Sequence, residues 1–165
     1  MFNKINISFR FYNVVFAFII VYNKERILLR RIIRMNIIIC LDDNNGMLFN
    51  NRRQSKDSEV IRKITETVKG NRFFIHTFST SLFNNNYLLN DNMLDTAGEN
   101  DFCFVENLPL LPHISRIRSI YVFRWNRSYP YDMVADIDFN KLTLIRTEEF
   151  KGNSHDKITL EVYTV

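Results

Sequence analysis

The chain has 165 residues, 46% of them hydrophobic, which fits one globular domain and excludes a disordered or low-complexity protein. Two cysteines, Cys40 and Cys103, exclude a disulfide scaffold, and no C-x-x-C or clustered histidine spacing suggests a metal site. The net charge of +4 points to an anionic partner only until it is divided: residues 1–34 carry seven basic side chains against one acidic, and residues 35–165 carry fifteen against seventeen.

The basic leader contains an apolar stretch, Phe11 to Tyr22, flanked by Lys4, Arg10 and Lys24. Twelve residues are too few for a membrane-spanning helix, which needs about 20. A signal anchor is one reading, although no small-residue cleavage site follows. The other is that residues 1–34 are over-called upstream sequence. Arg30-Arg31 followed by Ile32-Ile33-Arg34-Met35 can be encoded as a purine-rich ribosome-binding site ahead of a start codon. The domain proper is then 35–165, a mildly acidic chain expected in the cytoplasm. Nucleic-acid binding by charge is not expected of it, nor membrane binding unless residues 1–34 are made.

From Met35 the pattern is regular. Asn36 to Leu41 is a continuous apolar run with three isoleucines, the signature of a central strand covered on both faces. Asp42 to Gly46 is a turn, and Gly46 to Ser55 reads as a polar loop. Asp57 to Val68 is a helix, with Ser55 as N-cap, an apolar stripe of Val60, Ile61, Ile64 and Val68, and Gly70 as stop. Arg72 to Ile75 is a strand, and Ser79 to Phe83 begins a short helix. Residues 84–100, rich in Asn and Asp, read as loop. Phe102 to Val105 is a third buried strand, after which Pro109 and Pro112 interrupt the pattern. Ser119 to Trp125, Leu142 to Thr147 and Ile158 to Val165 are strands, with Gly152-Asn153-Ser154 turning the last pair into a hairpin. This order gives a single α/β domain: a mixed, mostly parallel sheet flanked by helices, with an antiparallel C-terminal hairpin.

The order and several local residues resemble dihydrofolate reductase, in two blocks, Met35 to Phe83 and Phe102 to Val165. The chain resembles a version of that family reduced in size. Asn45-Gly46-Met47-Leu48 stands where the family has its turn and Ile-Gly pair. Asp57 stands at the acidic residue that opens the family's first helix and binds the pterin ring. A carboxylate there can accept two parallel hydrogen bonds from an aminopyrimidine edge. In the C-terminal block, Ile120-Tyr121-Val122-Phe123, Tyr131-Asp132-Met133 and Asn153 to Tyr163 resemble the family's later strands. The resemblance therefore assigns the ring site to Leu48, Asp57 and Ile61, with Asp57 as the catalytic acid.

The cofactor motifs depart from the family. Its Gly-Arg-x-Thr is replaced by His76-Thr77-Phe78-Ser79, and its Gly-Gly pair by Glu106-Asn107. The segment between Phe83 and Phe102 is short for the family's adenine-binding strand and helix. Ser79, Glu106 and Asn107 are the cofactor positions that the resemblance implies. Glu106 would direct a negative charge at two phosphates.

The leading expectation is a domain that has lost normal NADPH binding, takes no cofactor, and binds a small molecule or a protein. The alternative is an NADPH-dependent reductase of a pterin-like ring. A further resemblance, to short chains labelled ribonuclease Z, rests on Leu41-Asp42-Asp43-Asn44-Asn45-Gly46-Met47-Leu48-Phe49-Asn50. It implies RNA processing, but His76, His113 and His155 are too scattered for a two-metal site.

Other residues read two ways. Asp57 is a ligand-binding acid or a helix-start residue. Arg52-Arg53-Gln54 is an anion contact or a solvated loop. Glu106-Asn107 is a new polar site or a strand exit. Ser154-His155-Asp156 cannot form a relay from adjacent positions.

Overall fold

The computed structural model describes residues 34–165; the two readings of the leader lie outside the described residues. Strand β1 (Met35–Leu41) is central and almost wholly buried, as its continuous apolar run requires. Side chains alternate across it. Ile37, Ile39 and Leu41 enter one core with Met47, Leu48 and Val122, and Ile38 enters the other with Val60, Ile64 and Phe123.

The main sheet has seven strands in the order β5-β4-β6-β1-β7-β10-β9. They are β4 (Phe73–Ile75), β5 (Leu88–Leu89), β6 (Phe102–Phe104), β7 (Ile117–Arg124), β9 (Thr143–Phe150) and β10 (Ile158–Thr164), with β1. Strand β1 pairs in parallel with β6 and β7, placing Ile37 beside both Cys103 and Ile120. Strand β10 runs antiparallel to both β7 and β9. The mixed, mostly parallel sheet with an antiparallel finish is therefore present.

Helix α1 (Ser58–Thr67) lays Val60 and Ile64 on one face of the sheet. Its start corrects the sequence reading: the N-cap is Asp57, not Ser55, because the Asp57 carboxylate accepts from the Glu59 N–H at 2.9 Å. Ser55 has a different partner, described below.

The expected loop over Gly46 to Ser55 is also corrected. Strands β2 (Gly46–Phe49) and β3 (Arg52–Arg53) form a hairpin, joined to β8 (Met133–Val134) in a second, three-stranded sheet. Asn50 and Asn51 both have positive φ, 50° and 56°, the requirement of a two-residue type I′ turn. Residues 84–100 are likewise more than loop. They hold β5, paired with Phe74 and Ile75, and a single helical turn α2 (Met93–Thr96). Both elements are too short to show a period in sequence. The expected helix at Ser79 to Phe83 is a 3₁₀ helix over Thr77–Leu82. Another 3₁₀ helix, Leu111–Arg116, follows the first proline. Among the described residues, no helix is long and apolar enough to cross a membrane.

Ile64 is fully buried under α1, so Ile64→Ala should cost about 3 kcal/mol by creating a cavity. Urea unfolding checks this: the midpoint should fall while the slope with denaturant stays constant.

Candidate functional site

Asp57 is 3% exposed, and its two oxygens face the loop between β9 and β10. Oδ1 accepts from the N–H groups of Glu59 and Asn153, both at 2.9 Å. Oδ2 accepts from the Ser154 N–H at 2.7 Å and the Ser154 hydroxyl at 3.0 Å, and it lies 3.1 Å from His155 Nδ1. One carboxylate thus closes the helix N-terminus and folds the 152–155 loop over itself. Gly152 permits the approach: a Cβ there would sit 2.5 Å from Oδ2. Burial pushes the Asp57 pKa up. The donors on Asn153, Ser154, Glu59 and His155 outweigh it and hold the group well below the usual carboxylate range.

His155 extends this arrangement. The ring is 4% exposed and stacks on Trp125, with centroids 4.9 Å apart and planes 24° from parallel. Its Nε2 lies 3.2 Å from Ser55 Oγ and 3.1 Å from the Tyr129 hydroxyl. Tyr129 in turn donates its backbone N–H to Asp42 Oδ2 at 2.9 Å. Asp42 is fully buried at the end of β1, where it also accepts from the Asn44 and Gly46 N–H groups and from Gln54 Nε2. Tyr129 thus links the two sides, its backbone N–H on Asp42 and its hydroxyl on His155, which in turn meets Asp57.

A second arrangement stands at the end of β6. Glu106 is 7% exposed, with Arg53 forked onto it: Nε to Oε1 at 2.9 Å and Nη2 to Oε2 at 3.2 Å. The Ser79 hydroxyl donates to Oε2 at 2.7 Å. Arg53 also donates to the Phe78 carbonyl and the Ser81 hydroxyl, and its guanidinium lies over the Phe78 ring. The β2–β3 hairpin is thus bolted to the 3₁₀ segment and to β6. Two oxygens of the residues that follow Arg53 and Glu106 in the chain, Gln54 Oε1 and Asn107 Oδ1, are buried without a donor. Beside the hairpin a cleft of about 540 Å³ opens, lined by Phe49, Arg52, Arg53, Gln54, Tyr129 and Pro130.

The sequence-predicted positions divide accordingly. Ser79 and Glu106 touch, and Asn107 adjoins them. Asp57 stands in the separate His155 cluster. Leu48 packs in the core on one face of the main sheet, and Ile61 packs against the core on the other. Cys40 borders the Glu106 arrangement. Its thiol is pushed well up by burial and by Glu106, against the opposing pull of Arg53. Cys103 is pushed up to about 12 by burial. Both are poor nucleophiles.

Sequence reasoning missed the partnership of Ser55, Asp57 and His155. It weighed His155 only with its neighbours, while the true partners lie about 100 residues away. Among the described residues, no group of three or more His, Cys, Asp or Glu side chains could hold a metal ion.

The architecture aligns with a solved dihydrofolate reductase from Enterococcus faecalis, complexed with NADP(H) and RAB-propyl, at a TM-score of 0.58. The match covers 79% of this chain and 95% of that chain, at 10% sequence identity. The fold is that of dihydrofolate reductase. Neither a family model nor a curated protein matches the sequence. Identity this low carries the dihydrofolate reductase scaffold and leaves the chemistry to the side chains present.

Because the native Asp57 pKa is depressed, its contribution to stability is fully present above the unfolded value, near pH 4, and is lost as pH falls below it. Asp57→Asn should therefore cost about 2 kcal/mol at neutral pH and flatten the acid limb of a melting-temperature profile. Arg53→Ala should cost a further, independent 2 to 3 kcal/mol or about that by stranding the buried Glu106 carboxylate, read by chemical denaturation.

Proposed function

We propose that this chain is a divergent dihydrofolate reductase-fold protein whose dinucleotide site has been rebuilt. It acts as a binding domain, most directly for a small molecule, without normal reductase activity. The observation that carries this reading is the Glu106–Arg53–Ser79 arrangement at the end of β6. By the resemblance, this strand end carries a Gly-Gly pair that lets backbone approach the pyrophosphate. Here it carries a buried carboxylate, which repels phosphate. The nearest cation, Arg53, is already engaged by that carboxylate. NADPH does not fit such a set of residues.

The ring-binding side supports the same conclusion. A pterin edge needs both oxygens of the acid, and at Asp57 both are occupied by the chain's own donors. The cleft beside Arg52 and Tyr129 is the surface this reading assigns to a ligand. With both cysteines free, the reducing cytoplasm is the compartment assigned.

Isothermal titration with NADPH tests the reading. No saturable heat is the expected outcome, and a dissociation constant in the micromolar range overturns it.

A further inference from the structure

The relay of Ser55, His155 and Asp57 is separate from the Glu106 arrangement and has the parts of a nucleophile, a base and an orienting acid. The ionised Asp57 carboxylate can only accept, so in the neutral imidazole the proton sits on Nδ1 and points to Oδ2 at 3.1 Å. Ser154 Oγ is also 3.1 Å from Nδ1, but gives its own hydrogen to Asp57 Oδ2. That leaves the Nε2 lone pair as an acceptor, shared between the Ser55 hydroxyl at 3.2 Å and the Tyr129 hydroxyl at 3.1 Å. The Trp125 face and the 152–155 loop hold the ring in this orientation. Ser55 itself is partly exposed, and its neighbour Gln54 and the second Nε2 partner, Tyr129, line the cleft together with Arg52.

We propose that Ser55 is an activated nucleophile and that the chain hydrolyses a small carboxylic ester that meets the partly exposed Ser55 hydroxyl at the edge of this cleft. Ser55 Oγ bonds to the ester carbonyl carbon while its proton passes to His155 Nε2. The carbon–oxygen bond to the alcohol breaks, and the departing alkoxide takes the proton from Nε2. Water then attacks the acyl carbon, gives its proton to Nε2, and releases the carboxylic acid as the proton returns to Ser55. Asp57 balances the charge of the imidazolium that forms and is itself never protonated.

The proposal goes beyond the binding reading and stands or falls apart from it. NADPH calorimetry reports on the Glu106 end, and labelling of Ser55 reports on the relay. The full chain is treated with a fluorophosphonate probe, and the adduct is mapped by peptide mass spectrometry. The expected result is one adduct on Ser55, absent after denaturation and absent in Ser55→Ala. His155→Gln should slow labelling about 100-fold. If that variant does not fold, the native chain still decides: the adduct must map to Ser55 and must disappear when the chain is denatured before labelling. No adduct, or an adduct on Tyr129 or on another serine, would overturn the assignment. Turnover of p-nitrophenyl acetate that survives Ser55→Ala would do the same.

Discussion

A carboxylate buried to the degree of Asp57 must be supplied with donors, and the structure around it is arranged to meet that demand. Two come from the backbone of the β9–β10 loop, one from the helix it caps, and the rest from Ser154 and His155. Removing any of them would leave charge in a poorly solvated place. The loop therefore cannot move without exposing the carboxylate, and α1 cannot shift without losing its cap. The side chain couples the beginning of the first helix to the last hairpin, 98 residues away in the sequence.

The same logic operates at the end of β6. In the dihydrofolate reductase fold, ligands meet the sheet where strands end and loops begin, as in other open α/β sheets. Here the chain's own side chains converge on those places. Arg53 reaches from the hairpin to Glu106, and Ser154 and His155 reach from the last loop to Asp57. The scaffold is that of dihydrofolate reductase, and the polar contacts at its strand ends are made by side chains from distant elements.

Much of the scaffold was legible in sequence. The Ile37-Ile38-Ile39 run marks a strand covered on both faces, and the Val60/Ile64/Val68 stripe marks one helix face, because burial writes a period into the chain. The Asn50-Asn51 hairpin was not read, since asparagine signals loops in general and a type I′ turn only when two stand between paired strands. Strand β5 left no period in two residues. The site was half legible. Asp57 and Glu106 stood out by position. Their partners did not, because hydrogen bonding between residues some 50 to 100 positions apart leaves no local pattern.

Asparagine at left-handed positions bears on the unfolded chain as well. Among the described residues, all six non-glycine positions with positive φ are asparagines: 45, 50, 51, 86, 100 and 126. Glycine would enter that region without strain, but it would also widen the denatured ensemble and raise the entropy lost on folding. Asparagine tolerates the same backbone through its short polar side chain while excluding more of the disordered alternatives. With 20 asparagines and only 4 glycines in the whole sequence, tight turns are built with less chain freedom to surrender. A small domain gains stability from that restriction without any added contact.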